Sequence, residues 1–328
     1  MSQSGASAQQ KETAVIIDEQ RCVGCGLCVK ACPMKILAMD DGLCVMTDAG
    51  KCLECGTCRH DCPERAIEIV AAAGKASAVF QADSGDEPAA FTTAPILGAL
   101  QELLAELQPV QTFELDGIDI RALDSFKLEG RPCFSRLYRA DKLEKLGVSS
   151  VNFYGAMQAE VVSITPGADY DLPSYVMDWD ESEDHIFFIC DLIPADDPGR
   201  NADYLAHQLY APLEDLYQTY CDIPGLRTSV FHWVRALHSP YIITGTIEKK
   251  SQKNVDLIFN CAVDYLKAWL GLYRAAQPRD PASAAMQLVQ ERRRAVRAQY
   301  SENDPGVGAL NKFLGDELAD IALAIIEP

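Results

Sequence analysis

Eight cysteines fall into two runs of identical spacing. The first is Cys22-Val-Gly-Cys25-Gly-Leu-Cys28-Val-Lys-Ala-Cys32-Pro33, and the second is Cys52-Leu-Glu-Cys55-Gly-Thr-Cys58-Arg-His-Asp-Cys62-Pro63. Both read C-x2-C-x2-C-x3-C-P. Three thiolates so spaced on a tight loop wrap one face of a cubane iron–sulfur cluster. The fourth, turned by its proline, reaches the cluster of the other run. The spacing therefore assigns Cys22, Cys25, Cys28 and Cys62 to one 4Fe–4S cluster, and Cys52, Cys55, Cys58 and Cys32 to a second. Gly24, Gly26 and Gly56 allow the backbone to approach the sulfides and aim N–H groups at them. A zinc ribbon would need a longer gap between its cysteine pairs. A disulfide framework would need an oxidising compartment, which nothing in the sequence indicates. Clusters of this kind pass single electrons, so the stretch reads as a wire.

Electrons that arrive singly need proton donors where they land. In Tyr170-Asp-Leu-Pro173-Ser-Tyr175-Val-Met-Asp178-Trp179, strand alternation puts Ser174, Val176 and Asp178 on one face. Asp178 sits among apolar residues, and burial would raise its pKa enough to hold a proton near neutrality. The bland alternative is a strand-end acid leading into the turn Asp180-Glu181-Ser182. Asp304, in Asn303-Asp304-Pro305-Gly306, reads on its own as turn and helix N-cap chemistry. No dinucleotide fingerprint, phosphate loop or nucleophile elbow is present, so neither flavin nor NAD(P) is expected.

The rest of the chain must position these groups. With 328 residues, 48% of them apolar, it can build a core well beyond the cysteine-rich unit. The expected division is a two-cluster domain at 12–72, an Ala/Ser/Gly-rich linker at 73–94, and a second domain at 95–328. In the second domain a helix is expected from Ile96 to Leu107, then a hairpin around Asp116-Gly117. Strands are expected at 151–157, 159–165, 174–179 and 185–192, and again at 241–247. Ile186 to Cys190 is apolar on both faces and reads as a central strand covered on each side. Helices are expected at 202–220, 230–237, 255–273, 282–300 and 308–326. The fold class is α+β: a small ferredoxin-like unit plus an α/β/α sandwich on a mostly antiparallel sheet. The net charge of −19 argues against nucleic acid. No apolar run is long enough for a membrane span, and unprotected clusters suit a cytoplasmic setting. The remaining cysteines, Cys44, Cys133, Cys190, Cys221 and Cys261, read as buried small hydrophobes.

Two resemblances follow from these residues. Residues 12–72 resemble the bacterial two-cluster ferredoxins. Tyr170-Asp-Leu-Pro173 with Asp178, Cys190-Asp191-Leu192-Ile-Pro194, and Asn303-Asp304-Pro305 with Leu310 and Phe313-Leu-Gly315 resemble the ferredoxin-dependent bilin reductases, in family order. Phe134 to Tyr138 and Ser239-Pro240-Tyr241 are similar at lower specificity. The second resemblance implies a linear tetrapyrrole substrate between the sheet and the C-terminal helices, fed by an upstream electron donor protein. It implies Asp178 as the main proton donor and Asp304 as the second. Some members carry a histidine on the preceding strand, where this chain has Val161 with Glu160 beside it. Arg136, Arg139, Arg293 and Arg297, with Glu160, are candidates for holding substrate. The expected activity is an oxidoreductase delivering single electrons, with protons, to a bilin. The competing expectation is a tetrapyrrole- or corrinoid-binding protein, or an assembly factor, that reduces no carbon–carbon double bond.

Overall fold

The computed structural model describes residues 15–69, 80–82, 94–128, 130–153, 155–227, 229 and 231–328. Most of the expected linker lies outside the described residues. Within it, Phe80–Ala82 forms a strand that pairs antiparallel with Phe126–Leu128.

The N-terminal unit closes on itself. Val15–Ile17 pairs antiparallel with Ile67–Ile69, tying the two ends of the repeat together. Leu37–Asp40 and Leu43–Met46 form a hairpin between the cysteine runs. Short helices, Leu27–Ala31 and Thr57–His60, each start just after a glycine in the left-handed region. Gly24 is required for a different reason: a Cβ there would lie 2.2 Å from the Gly42 carbonyl oxygen. Val15, Ile36, Leu37, Ala66 and Ile67 supply the apolar packing around the cysteines.

The second unit is built on an antiparallel meander of β1 (Arg131–Arg139), β2 (Leu143–Phe153), β3 (Met157–Pro166), β4 (Ser174–Ser182), β5 (His185–Ile193) and β6 (Ile243–Glu248). Phe126–Leu128 and Val110–Thr112 both pair with β1, at opposite ends. Its main helices are α1 (Pro95–Leu104), α2 (Ala211–Tyr220), α3 (His232–Leu237), α4 (Gln252–Ala275), α5 (Ala284–Asn303), α6 (Pro305–Leu314) and α7 (Asp316–Ile326). On one face of the sheet, Tyr175, Met177, Trp179, Ile186, Phe188 and Cys190 pack against α1, α2 and α4. Three large side chains there reach a backbone carbonyl with their polar tips. Trp269 donates to Pro173 (2.8 Å), Tyr265 to Tyr241 (2.7 Å) and Tyr175 to Ala262 (3.1 Å). On the other face, Leu137, Val151 and Phe153 meet Leu310, Phe313, Ala322 and Ile325 of α6 and α7. Gly147 allows that approach, since a Cβ would sit 2.0 Å from the Ile325 carbonyl oxygen.

The α+β class and the antiparallel sheet match expectation, and several element boundaries do not. The chain turns at Gly155-Ala156, so residues 151–157 are not one strand but the end of β2 and the start of β3. β1 and most of β2 had no counterpart in the sequence reading. Their polar residues, such as Ser135 and Ser149, hid the alternation; these two hydroxyls bond each other at 2.7 Å inside the protein. β5 is not central: it lies next to the edge strand β6. Ile186, Phe188 and Cys190 face the helix core, whereas Phe187 and Ile189 line a cavity, which explains the apolarity of both faces. The last helix is split at Gly315, whose φ of 77° ends α6 and begins α7.

Candidate active site

A cavity lies on the face of the sheet away from α4, and its walls come from both units. β4 contributes Val176, Asp178 and Asp180, which recur every second residue and so point the same way. Asp178 and Asp180 lie close enough for their charges to repel. Burial and then mutual repulsion raise Asp178 well above the usual carboxylate range, and burial with repulsion from Asp304 raises Asp180. Asp304 also lines the cavity. It caps α6 by accepting the Gly306 N–H at 2.7 Å, and burial raises its carboxyl. The cap and the cavity role coexist because a carboxylate has two oxygens.

Val161 stands directly across from Asp178 in the β3–β4 ladder and lines the same cavity. Glu160 does not. Its ladder partner is Trp179, so it points to the opposite face, where it accepts from the Ala94 N–H and Ser150 Oγ, both at 3.1 Å. There burial pushes its carboxyl up to about 7. The folded state therefore binds that proton more tightly than the unfolded chain, and stability falls as pH rises from the ordinary carboxylate range through about 7. Glu160→Gln is expected to remove that slope. Thermal melts at pH ~5.5 and ~8 should show the variant gaining ~2 kcal/mol on wild type at the higher pH; a constant difference would contradict the assignment.

The candidate arginines also lie outside the cavity lining. Arg293 is buried and donates to the carbonyls of Pro166, Gly167, Tyr170 and Leu172, fastening α5 to the β3–β4 connection. Arg297 pairs with Glu144 at 2.6 Å and Arg136 with Asp124 at 2.8 Å, while Arg139 is exposed. Neither Lys nor Arg appears among the described residues that line the cavity. Its polar equipment is acids, hydroxyls and two histidines. His60 Nε2, Asp178 Oδ1 and Trp233 Nε1 are buried without a protein partner.

The N-terminal unit forms part of the wall through Cys55, Gly56, Thr57 and His60. Arg227 holds it there, bonding the Asp61 carboxylate and, at 3.0 Å, the His60 carbonyl. Thr246 donates to Asp61 at 3.1 Å, and Lys312 to the Cys52 carbonyl at 2.5 Å. His60 packs edge-on against Phe187 with ring centres 5.0 Å apart. Cys32, Cys52, Cys55 and Cys58 line one hollow, beside the large cavity. Cys22, Cys25, Cys28 and Cys62 line another, together with Cys44. Each grouping draws its fourth cysteine from the other run. Backbone N–H groups of Glu54 and Ala66 point at the sulfurs of Cys52 (3.4 Å) and Cys62 (3.2 Å), as charged sulfur ligands require. The four thiols of each cysteine set, around an apolar hollow, fit an iron–sulfur cluster.

The sequence reading missed Asp180, His60, Trp233 and Tyr300. Asp180 was legible in principle: Asp178-x-Asp180 is strand spacing, and only ending the strand at Trp179 made Asp180 a turn residue. The other three reach the cavity through tertiary packing alone.

Fold and site together define an electron-transfer unit docked on a reductase-type sandwich. Residues 8–67 match the model of the 4Fe-4S dicluster domain. Residues 104–323, more than half of the chain, match the model of the ferredoxin-dependent bilin reductases, and the chain belongs to that family. It is a ferredoxin-fused bilin reductase, an oxidoreductase with iron–sulfur clusters. Among solved structures, phytochromobilin synthase from tomato in complex with biliverdin is similar in fold. The TM-score is 0.56 at 20% identity, over 70% of this chain and 79% of that one. No curated protein matches the sequence. Among the described residues, no helix is long and apolar enough to cross a membrane.

Proposed function

We propose that this protein reduces a linear tetrapyrrole by taking single electrons from its own two clusters and protons from its own acids. One observation carries the reading: Cys55 and the acids Asp178, Asp180 and Asp304 line the same cavity. Bound to the two cysteine sets, the clusters supply one electron at a time. Cys25 is exposed, whereas Cys52 and Cys58 are buried beside the cavity. An upstream donor protein would therefore feed the outer set, and the inner set would serve the substrate. A proton held by Asp178 sits where an added electron would otherwise leave uncompensated charge in an apolar pocket. Donation by Asp178 neutralises it, and radical intermediates are expected between electrons. The cavity's surplus of acceptors over cations suits the pyrrole N–H groups of a bilin. Substrate carboxylates would then point to solvent.

The test is anaerobic. Purified protein should hold about eight iron and eight labile sulfide, four of each per cluster. Reduced protein should convert biliverdin to a product with blue-shifted absorbance, because conjugation is shortened. A shift confined to the metal bands of haem or cobalamin, with biliverdin unchanged, would favour electron delivery without double-bond reduction. Zinc in place of iron and sulfide would remove the wire altogether.

A further inference from the structure

A second polar chain reaches the cavity, starting from a buried acid that the scheme above leaves unused. Asp191 on β5 is 0% exposed, and three donors converge on its oxygens. These are His238 Nδ1 at 3.0 Å, the Ser239 N–H at 2.8 Å and Ser239 Oγ at 2.5 Å. That arrangement suits a carboxylate anion, and His238 is the cation-forming group beside it. With Nδ1 committed to Asp191, the other ring nitrogen of His238 faces Tyr300, whose hydroxyl lies 2.7 Å from Nε2. Tyr300 and His238 both line the cavity, and Trp233 packs edge-on against the tyrosine at 4.9 Å.

We infer that Asp191, His238 and Tyr300 form a proton relay into the bilin cavity, in which Tyr300 is a second proton donor and His238 refills it. The inference rests on reading the cavity as a bilin site. Reducing a double bond takes two electrons and two protons, and donation by Asp178 supplies one. In the loaded relay His238 is protonated on both nitrogens, with Nδ1–H on Asp191 and Nε2–H on the tyrosine oxygen. The Tyr300 O–H bond breaks as its proton passes to the bilin atom that has just gained an electron. The same oxygen takes the Nε2 proton of His238. Tyr300 ends as a neutral phenol, His238 as a neutral imidazole and Asp191 still as an anion. The electron comes from the clusters, and solvent later returns the proton. Burial, and then the carboxyls of Asp304, Asp191, Asp178 and Glu327, hold the Tyr300 phenol well above its ordinary value. A phenolate is thus disfavoured, which suits a group that passes a proton without storing charge.

Two readouts on the full-length, cluster-loaded protein test the relay. With biliverdin as the probe, Tyr300→Phe should keep the wild-type KM and iron content but lower kcat ~10²-fold, with a half-reduced product accumulating. His238→Gln should do the same. In ligand-free protein with isotope-labelled histidine, Asp191→Asn should release the fixed His238 tautomer, and Tyr300→Phe should move the Nε2 signal. Unchanged kcat and product in Tyr300→Phe would overturn the relay, as would loss of the second protonation in Asp304→Asn alone. A wild-type protein that leaves every bilin untouched would instead sink the bilin reading, with the catalytic use of the relay, even if the tautomer responses appear.

Discussion

Asp178→Asn is expected to bind biliverdin about as tightly as wild type and to turn it over ~10²–10⁴-fold more slowly, the usual worth of a general acid. Asparagine keeps the shape and a hydrogen-bond donor but cannot give up a proton. The variant should therefore accept one electron and stall. A radical signal beyond those of the clusters, by electron paramagnetic resonance, is the diagnostic. The pH profile supports the same assignment. Burial and neighbouring acids raise Asp178, Asp180 and Asp304. The donor form is therefore the low-pH form, and turnover should fall on the alkaline side as Asp178 loses its proton. In Asp178→Asn that limb should vanish or move. Wild-type turnover with the wild-type product in Asp178→Asn would place the donor elsewhere, with Asp180 the next residue to replace.

Cys58→Ala is the second large effect. Cys58 belongs to the inner set, beside the cavity. Its loss should lower iron from about eight to about four per chain and abolish turnover driven by a protein donor. Most of the cavity wall comes from the second unit, so biliverdin binding should weaken without disappearing. Loss of a cluster can also loosen the whole N-terminal unit, so Arg227→Glu is the companion variant. It keeps every cysteine but sets an acid against Asp61, where Arg227 now binds the carboxylate and two carbonyls. Iron content should stay at the wild-type level while electron transfer to bound bilin slows. Wild-type rates in both variants would mean that electrons do not enter through the inner set.

The two cysteine runs were legible without any structure because cluster chemistry constrains a short stretch. Ligand spacing, glycines and a following proline must all be local. Asp178 was legible for a related reason, since strand alternation is a short-range rule that holds over β4. The same rule, applied over one more pair of residues, would have included Asp180. It also shows why Glu160 was misplaced: neighbours on a strand point to opposite faces, so Val161 and Glu160 cannot share a cavity.

What the sequence determined, then, was the chemistry that lies within a few residues of itself: the cluster motifs, the β4 acid, the cap at Asp304 and the long amphipathic helix α4. Tertiary structure alone decided which distant groups meet. Arginines that read as substrate ligands became clamps once Arg293 met four carbonyls and Arg297 met Glu144, because a buried guanidinium must satisfy its donors wherever the fold allows. Asp191, His238 and Tyr300 are separated by long stretches of chain, and only the stacking of α3 and α5 over β5 brings them into hydrogen-bond range. The placement of the inner cysteine set against the acids is likewise a product of docking between two units. No local periodicity encodes it, because its physical basis is the fit of Asp61, His60 and Cys52 to Arg227, Phe187 and Lys312 across the interface.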